Sequence, residues 1–495
     1  MTDKTIAVLP FVNMSSSEDT EYFSDGMTEE IINALAKIHG LKVTSRTSSF
    51  FFKNKNIPIG EIGEQLNVAT ILEGSVRLGG NKMRITAQLI DVAEDFHFWS
   101  ETFDRPLEDV FAVQDEISLL IADKLREQIG HFDIEEHLVE KPDIPVEVYQ
   151  KYLKGRYHLM KLDLPGTMKA IEIYKEIIEE QPSFVPPYLE INQGYAFLGT
   201  MGKIPAEEAF ATAKPYLDKA IELDENYPEC QLNLSWTACW QNWNFDAAYK
   251  HIDKGIAARP TDQMYLTKAN FLTVQGKLEE ASIEFEKALQ IAPLHPMNVH
   301  YKGFLYYLKE EHDEAIPYFK KSLDLQPDLY YPILYWGCSL FLKNQAEQAL
   351  EFFQNLPEPK PGDLTKMGGE ALAYAALGNK SKVQESVKSL EEALQTDTMG
   401  RAMNFLILCH TLRGDYEKAM EMIEQALSFR LPLILLMYTE PLLKPLRSNP
   451  RFVEIMRDAL DLNETVEIPK RKYKQALFDK TGLEKNKLQL EQIMT

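Results

Sequence analysis

Two short polar stretches near the start of the chain have the side chains that a small-anion site needs. "SDGMTEE" opens a predicted helix, and "TSRTSS" directly follows a predicted strand. Hydroxyl and guanidinium groups at a helix start and at the carboxyl edge of a sheet can bind phosphate-like groups. In the alternative, Asp25 caps its helix and Arg46 pairs with nearby carboxylates. The candidate residues are Ser24, Asp25, Gly26, Ser45, Arg46 and Thr47.

Aromatic side chains form a second candidate site in the middle of the chain, in "SWTACWQNWNF" and "LYYPILYW". Exposed rings of this kind could stack on a sugar, a nucleoside or a peptide. In the alternative, each ring fills space between neighbouring helices. The candidate residues are Trp236, Trp240, Trp243, Tyr330, Tyr331, Tyr335 and Trp336.

Catalytic and metal-binding patterns are missing from the sequence. HExxH, GxSxG, GxxxxGK[ST] and GxGxxG do not occur, and His295 and His300 have no cysteine or carboxylate at ligand spacing. The four cysteines show no CxxC spacing, which argues against a zinc site or a disulfide framework. We therefore expect a binding protein that is not an enzyme and has neither a metal nor a cofactor.

The charge and the hydropathy restrict the partners and the location. A net charge of −22 opposes nucleic-acid binding by the bulk of the surface. The sequence has no signal-peptide pattern and no apolar stretch of about 18 residues. We expect a cytoplasmic protein that makes no membrane contact.

Residues 1–135 alternate between strand and helix patterns. "TIAVLPF" and "LKVTSR" predict strands, while "TEEIINALAKI", "IGEIGEQLN" and "VFAVQDEISLLIADKLREQI" predict helices. Antiparallel strands are expected around Gly79-Gly80-Asn81, where glycine permits the positive φ angles of a tight hairpin. The fold class predicted here is an N-terminal α/β domain with helices on a mixed sheet.

This N-terminal part also resembles a known module. "IAVLPFVNMSSSEDTEYFSDGMTEEIINAL", "GEQLNVATILEGSVR" and "DVFAVQDEIS" are similar to the TolB amino-terminal-like domain, which precedes tetratricopeptide repeats in many bacterial regulators and cyclase-associated proteins. The resemblance implies a fold and a context, and it implies no reaction.

Helical repeats follow a linker predicted at 136–147. Five small residues align in register, each 12 residues before a proline, and the last three intervals are 33, 34 and 34 residues. This is the tetratricopeptide period: a small residue lets paired helices approach, and an aromatic or apolar residue four positions later fills the gap. We predict an all-α solenoid of about eight repeats over 148–462. The aligned pairs are Ala170 with Tyr174, Ala248 with Ile252, Ala281 with Phe285, Ala315 with Phe319 and Ala349 with Phe353, and the prolines are Pro182, Pro260, Pro293, Pro327 and Pro361.

A repeat array of this kind presents a concave groove that binds other molecules. We expect a protein, a peptide or a small-molecule effector in the groove. Dimerisation would suit a regulator, although no heptad seam specifies it.

The last segment, 463–495, is predicted to be a linker followed by a basic helical tail. "KYKQALFDKTGLEKNKLQLEQIMT" is similar to the lead-in of AraC-type DNA-binding domains in Bacteroidetes-type regulators. The resemblance implies the sensory part of such a regulator, which would contact DNA only through a domain absent from this chain. A scaffold that joins proteins, either autonomous or associated with a cyclase, stays the open alternative.

Overall fold

The computed structural model describes most of the chain up to residue 460. The described ranges are 4–15, 20–129, 137–139, 143–161, 163–200, 206–327, 329–357, 363–395, 397, 400–428 and 432–460. The predicted linker and basic tail over 463–495 lie outside these ranges, as do Pro361 and part of the linker predicted at 136–147.

A mixed six-stranded sheet forms the centre of the front domain, which we define as residues 4–129. Its main path runs β3-β1-β4-β5-β6, with β2 pairing beside β4. The pairs β1–β3, β1–β4 and β2–β4 are parallel, whereas β4–β5 and β5–β6 are antiparallel. The strands are β1 (Thr5–Val8), β2 (Val12–Asn13), β3 (Lys42–Val43), β4 (Thr70–Gly79), β5 (Lys82–Asp91) and β6 (Phe96–Pro106).

The β4–β5 hairpin lies where glycine predicted it. Gly79 pairs with Lys82, so Gly80 and Asn81 form a two-residue turn. Gly80 has a φ of +60°, a value that glycine adopts without steric cost.

Four helices cover the sheet. Three of them match predicted helices, whereas α2 was not predicted, because its residues resemble a polar loop after a strand. Ser45 caps α2, since its side chain accepts a hydrogen bond from the Ser48 N–H. The helices are α1 (Glu21–Ala36), α2 (Arg46–Phe50), α3 (Ile59–Leu66) and α4 (Val110–Ile129).

Alternation along β1 separates two apolar layers. Ile6 and Val8 join a core that also contains α1 and α4 residues, while Ala7 joins a second core with Ile62 and Leu66 of α3. The first core continues without a break into the helices that follow the front domain, and the second includes Leu294. Both faces of the sheet therefore contact residues of the helical region.

Helices fill the described chain after residue 145. Pro145 occupies the N-cap of α5. The helices are α5 (Val146–Leu159), α6 (Leu164–Glu180), α7 (Val185–Thr200), α8 (Ala206–Leu223), α9 (Pro228–Trp236), α10 (Phe245–Ala258), α11 (Asp262–Val274), α12 (Leu278–Ile291), α13 (Pro296–Leu308), α14 (His312–Leu325), α15 (Tyr330–Leu342), α16 (Ala346–Gln354), α17 (Thr365–Ala376), α18 (Lys380–Ala393), α19 (Arg401–Leu412), α20 (Tyr416–Ser428) and α21 (Pro450–Ala459). We call α5–α20 the repeat array.

The described residues divide into two compact units. The first contains the front domain, α5–α9, α12–α14 and most of α10, α11 and α15, and the second contains α16–α21. Consecutive helices pack on one another within each unit, as in α5–α6–α7–α8, α12–α13–α14 and α16–α17–α18–α19–α20. The predicted fold class, an α/β domain followed by an all-α repeat region, is confirmed.

The aligned repeat residues have the packing that their spacing predicted. The five alanines and the five residues four positions later are all fully or almost fully buried. Gly303 of α13 shows why the approach is close, because a Cβ there would lie 2.9 Å from the Phe319 ring. Among the described residues, no helix combines the length and apolar character that crossing a bilayer requires.

Candidate functional site

The first polar stretch lies inside α1, and its acidic residue is paired. Thr20 is the N-cap, so Asp25 stands in the helix and does not cap it. Lys53 Nζ contacts both carboxylate oxygens of Asp25, at 2.6 and 2.7 Å. Burial raises the pKa of Asp25, and Lys53 offsets part of that rise. Ser24 is buried on the same helix.

The second polar stretch forms α2 and contacts the repeat array directly. The Ser45 N–H donates to the Ile291 carbonyl at 2.7 Å. The Leu294 N–H donates to Ser48 Oγ at 3.0 Å. Thr47 is exposed. The residues Ser45, Ser48, Ile291 and Leu294 therefore fasten α2 to the chain around the end of α12, and we call these four residues the α2 contact.

Arg46 belongs to a cluster of opposite charges between the front domain and the first repeats. Its Nε lies 3.2 Å from a Glu29 carboxylate oxygen, and its guanidinium carbon lies 3.9 Å from the centre of the Phe50 ring. Arg156 of α5 pairs with the same Glu29 carboxylate and approaches Glu190 of α7, with Nε 3.7 Å from the carboxylate oxygen. We call Glu29, Arg46, Arg156 and Glu190 the charged cluster.

Burial makes these charges interdependent. It raises the pKa of Glu190, and the Arg156 guanidinium offsets part of that rise. Burial alone would lower the pKa of Arg156, yet Glu29, Tyr152 and Glu190 hold it well above its ordinary value. Burial also lowers the pKa of Arg46, and Glu29 opposes that change. Each guanidinium thus has a carboxylate neighbour, which is the alternative that the sequence left open for Arg46.

Gly26, the remaining candidate, lies where α1 approaches α5. A Cβ at this position would be 2.6 Å from a methyl carbon of Leu153, so only glycine permits the observed approach. The structure brings the polar candidates of α1 and α2 together at the surface where the front domain meets the array. A small-anion site among them stays a prediction.

Trp236 is the most accessible of the predicted aromatic residues in "SWTACWQNWNF". Its side chain is 46% exposed, and its Nε1–H donates to Thr267 Oγ1 at 3.2 Å. The next turn, Thr237–Gln241, is π-helical and contains Trp240. Trp243 has a φ of +54°. A π-turn followed by a left-handed residue is an irregular backbone of the kind that often accompanies function.

The aromatic residues of α15 are more enclosed. Tyr335 is 6% exposed, and its ring centre lies 4.5 Å from that of Phe304 and 5.1 Å from that of Tyr307. Tyr331 lies 6.0 Å from His300, whose burial lowers its pKa to about 3. Tyr335 packs between helices and has little surface for a ligand. Tyr330, Tyr331 and Trp336 are partly buried.

An ion-pair series along the array escaped the sequence reading. Lys268 pairs with Asp253 at 2.8 Å, and Lys302 pairs with Glu286. The two lysines occupy the same repeat position, 34 residues apart, and Trp336 occupies it in the next repeat. Equal spacing of lysine on one helix and acid on the preceding one was the available signal. Trp336 therefore replaces a lysine of the series.

Metal ligands do not cluster among the described residues, where no three His, Cys, Asp or Glu side chains converge. A crevice of about 200 Å³ lies between the sheet edge and α12, with Lys42, Thr44, Asn67 and Glu286 among its lining residues. All four cysteines are buried. Burial raises the pKa of Cys409 to about 12, so its thiol stays protonated at neutral pH.

Comparison with known families separates the front domain from the repeats. Residues 2–120 match the second domain of HilA/YgeH-like transcriptional regulators. Residues 262–293 and 302–329 match tetratricopeptide repeats. A curated protein of Rhizobium meliloti (strain 1021), named "Putative adenylate cyclase 3", is 34% identical over 239 residues. That match covers 48% of this chain, and the chain spans about two fifths (40%) of that relative's length.

Solved structures resemble the repeat region in fold only. The human IFIT1 dimer with m7Gppp-AAAA is 15% identical, with a TM-score of 0.40, over 63% of this chain and 77% of that one. A tetratricopeptide repeat protein from Parabacteroides merdae ATCC 43184 is 14% identical, with a TM-score of 0.31, over 64% of this chain and 98% of that one. The chain thus joins a domain like the second domain of HilA/YgeH-like transcriptional regulators to tetratricopeptide repeats.

Proposed function

We propose that this chain is the non-catalytic sensory region of a cytoplasmic transcriptional regulator. The front domain is a TolB-like module in this proposal, and an AraC-type domain outside this chain contacts DNA. The repeat array binds the effector, which is a protein, a peptide or a small molecule. The match of residues 2–120 to a regulator domain supports the regulatory part, and the repeats support the binding part.

One observation carries the proposal: the regulator-like domain and the first repeats share an uninterrupted hydrophobic core. A molecule that binds the array and distinguishes two arrangements of its helices can therefore act on the front domain through packed side chains. Regulation of this kind needs a coupling free energy of only about 1–3 kcal/mol.

Trp236 is our first choice for a residue that contacts the effector. Its ring is the most exposed of the candidates, and the irregular turn directly after it includes Trp240. An aromatic face held by one hydrogen bond to Thr267 can stack on a planar or apolar group of a ligand.

A thermal-shift screen of nucleosides, sugars and random peptides tests the binding part. A true ligand at 100 times its Kd adds about 2.7 kcal/mol to the free energy of unfolding. Trp236→Ala should abolish that shift, while Tyr416→Ala, which removes another exposed ring, should keep it. If no compound shifts the unfolding, or if both variants respond like the wild type, Trp236 is not an effector contact.

The second candidate is a scaffold associated with a cyclase, and the partial match to the Rhizobium meliloti protein favours it. Chromatin immunoprecipitation of the natural protein distinguishes the two. Enrichment of discrete DNA sites supports the regulator. Absence of such sites, with a changed cyclic AMP pool after deletion of the gene, supports the scaffold.

A further inference from the structure

The last strand of the sheet leaves one edge open. β6 stands at the end of the strand order, and among the described residues no strand pairs with its outer side. An edge strand presents unpaired backbone N–H and C=O groups that another strand can complete. Native proteins usually blunt such edges with proline, lysine, bulges or a covering segment.

β6 lacks most of these protections where it is regular. It contains no lysine, and its only proline, Pro106, is its last residue. Its irregularity lies near Phe98, because the register to β5 shifts between Leu89 and Ile90. From Trp99 to Pro106 the strand pairs residue by residue with β5. This regular stretch is therefore a template for one more antiparallel strand.

The side chains of this stretch divide between two faces. Phe103 is buried, and Arg105 pairs with Glu116 of α4 at 2.6 Å, so these residues face the helix side. Asp104 pairs with Arg84, and Thr102 lies 3.2 Å from Thr86 on the other face.

We propose that the outer edge of β6 pairs antiparallel with β6 of a second copy of this chain. With Phe103 opposite its own copy, Ser100–Pro106 of the two strands overlap. Glu101 of each copy then lies opposite Arg105 of the other, and Thr102 lies opposite Asp104. Opposite charges at facing positions stabilise antiparallel pairs, and like charges there destabilise them.

The charges available on β6 fit this register. Glu101 is exposed and makes no ion pair among the described residues. Arg105 binds Glu116 through Nε and Nη2, and a guanidinium has five N–H donors, so donors remain for a second carboxylate. The two-fold relation produces both Glu101–Arg105 contacts at once. This inference is independent of the proposed function.

Sedimentation velocity of the whole chain, over a range of concentrations, tests the inference. We expect a monomer–dimer equilibrium in the wild type. Glu101→Arg and Arg105→Glu should each weaken the dimer about tenfold or more, because each puts like charges opposite one another. The double variant, Glu101→Arg with Arg105→Glu, should restore it.

Glu208→Arg is the matched control, since it makes the same charge change at an exposed position on α8 and should leave the dimer intact. Circular dichroism checks that every variant is folded. A wild type that stays monomeric at all concentrations would overturn the inference. A dimer that is indifferent to both single exchanges, or that the double variant fails to restore, would also overturn it.

Discussion

The backbone N–H of Leu294 donates a hydrogen bond to the side-chain oxygen of Ser48, at 3.0 Å and across 246 positions of the chain. Ser48 belongs to the front domain and Leu294 to the turn after α12 of the repeat array. Both residues are buried, so water does not replace this bond easily. The bond is one of several contacts that make the front domain and the first repeats a single unit.

Ser48→Ala should destabilise the first unit. It leaves the Leu294 N–H buried without its acceptor, which costs about 1–3 kcal/mol. Hydrogen exchange should accelerate in the peptide that contains Leu294, and urea denaturation should show the lower stability. Ser183→Ala, at an exposed serine, is the control and should change neither. Equal behaviour of the two variants would mean that the bond contributes nothing.

Arg156→Met should be more costly. It removes the guanidinium that contacts Glu29 and Glu190 and leaves two buried carboxylates without it. Loss of one partner of a buried ion pair costs about 3–5 kcal/mol. Adding Glu29→Gln should recover part of that loss, because one buried charge disappears. Arg77→Met, at an exposed arginine, is the matched control for urea denaturation. A loss no larger than that of Arg77→Met would contradict the role given to the charged cluster.

Gly26→Ala decides between two opposed effects. In an ordinary helix interior this change stabilises by about 0.5–1 kcal/mol. Here the new methyl group would lie 2.6 Å from Leu153, and such overpacking costs about 1–3 kcal/mol. We expect a net loss of stability in the wild-type background. With Leu153→Ala already present, Gly26→Ala should become neutral or stabilising. A stabilising effect in both backgrounds would show that α1 does not approach α5 so closely.

Glu30→Gln should reveal a pH-dependent term in stability. Burial, together with the neighbouring Glu29, raises the pKa of Glu30 from 4.5 to about 7. The folded state then holds a proton that the unfolded state releases, so the favourable contribution is full below pH 4.5 and is lost as the pH rises through 7. The variant should therefore exceed the wild type in stability by about 1–3 kcal/mol at pH 8. Near pH 4.5 this difference should vanish. A difference between variant and wild type that is constant from pH 4.5 to 8 would contradict the raised pKa.

The parts of the fold with local signals were predictable from the sequence. Gly80 marked the hairpin because a two-residue turn needs positive φ angles, and the alanine–proline spacing marked the repeats because helix pairs need close contacts. No local signal distinguishes Ser48 from a serine in a solvated loop. Its partner, Leu294, lies in another domain, and only the folded chain brings them together.

The aromatic candidates show the same limit. A ring on a repeat helix serves equally for packing and for binding, since both need a large apolar face. Tyr335 and Trp236 have similar sequence surroundings, yet the first is enclosed by Phe304 and Tyr307 and the second is exposed. The difference depends on which helices face each other, and the repeat period alone does not fix that for every position.

Native-state hydrogen exchange in increasing urea tests the central claim, that the front domain and the first repeats unfold together. Amides of β4 and β5 should open at the same urea concentration, and with the same free energy, as amides of α6 and α7. Opening of the strands at a lower urea concentration, while α6 and α7 stay protected, would show that the front domain is an independent body.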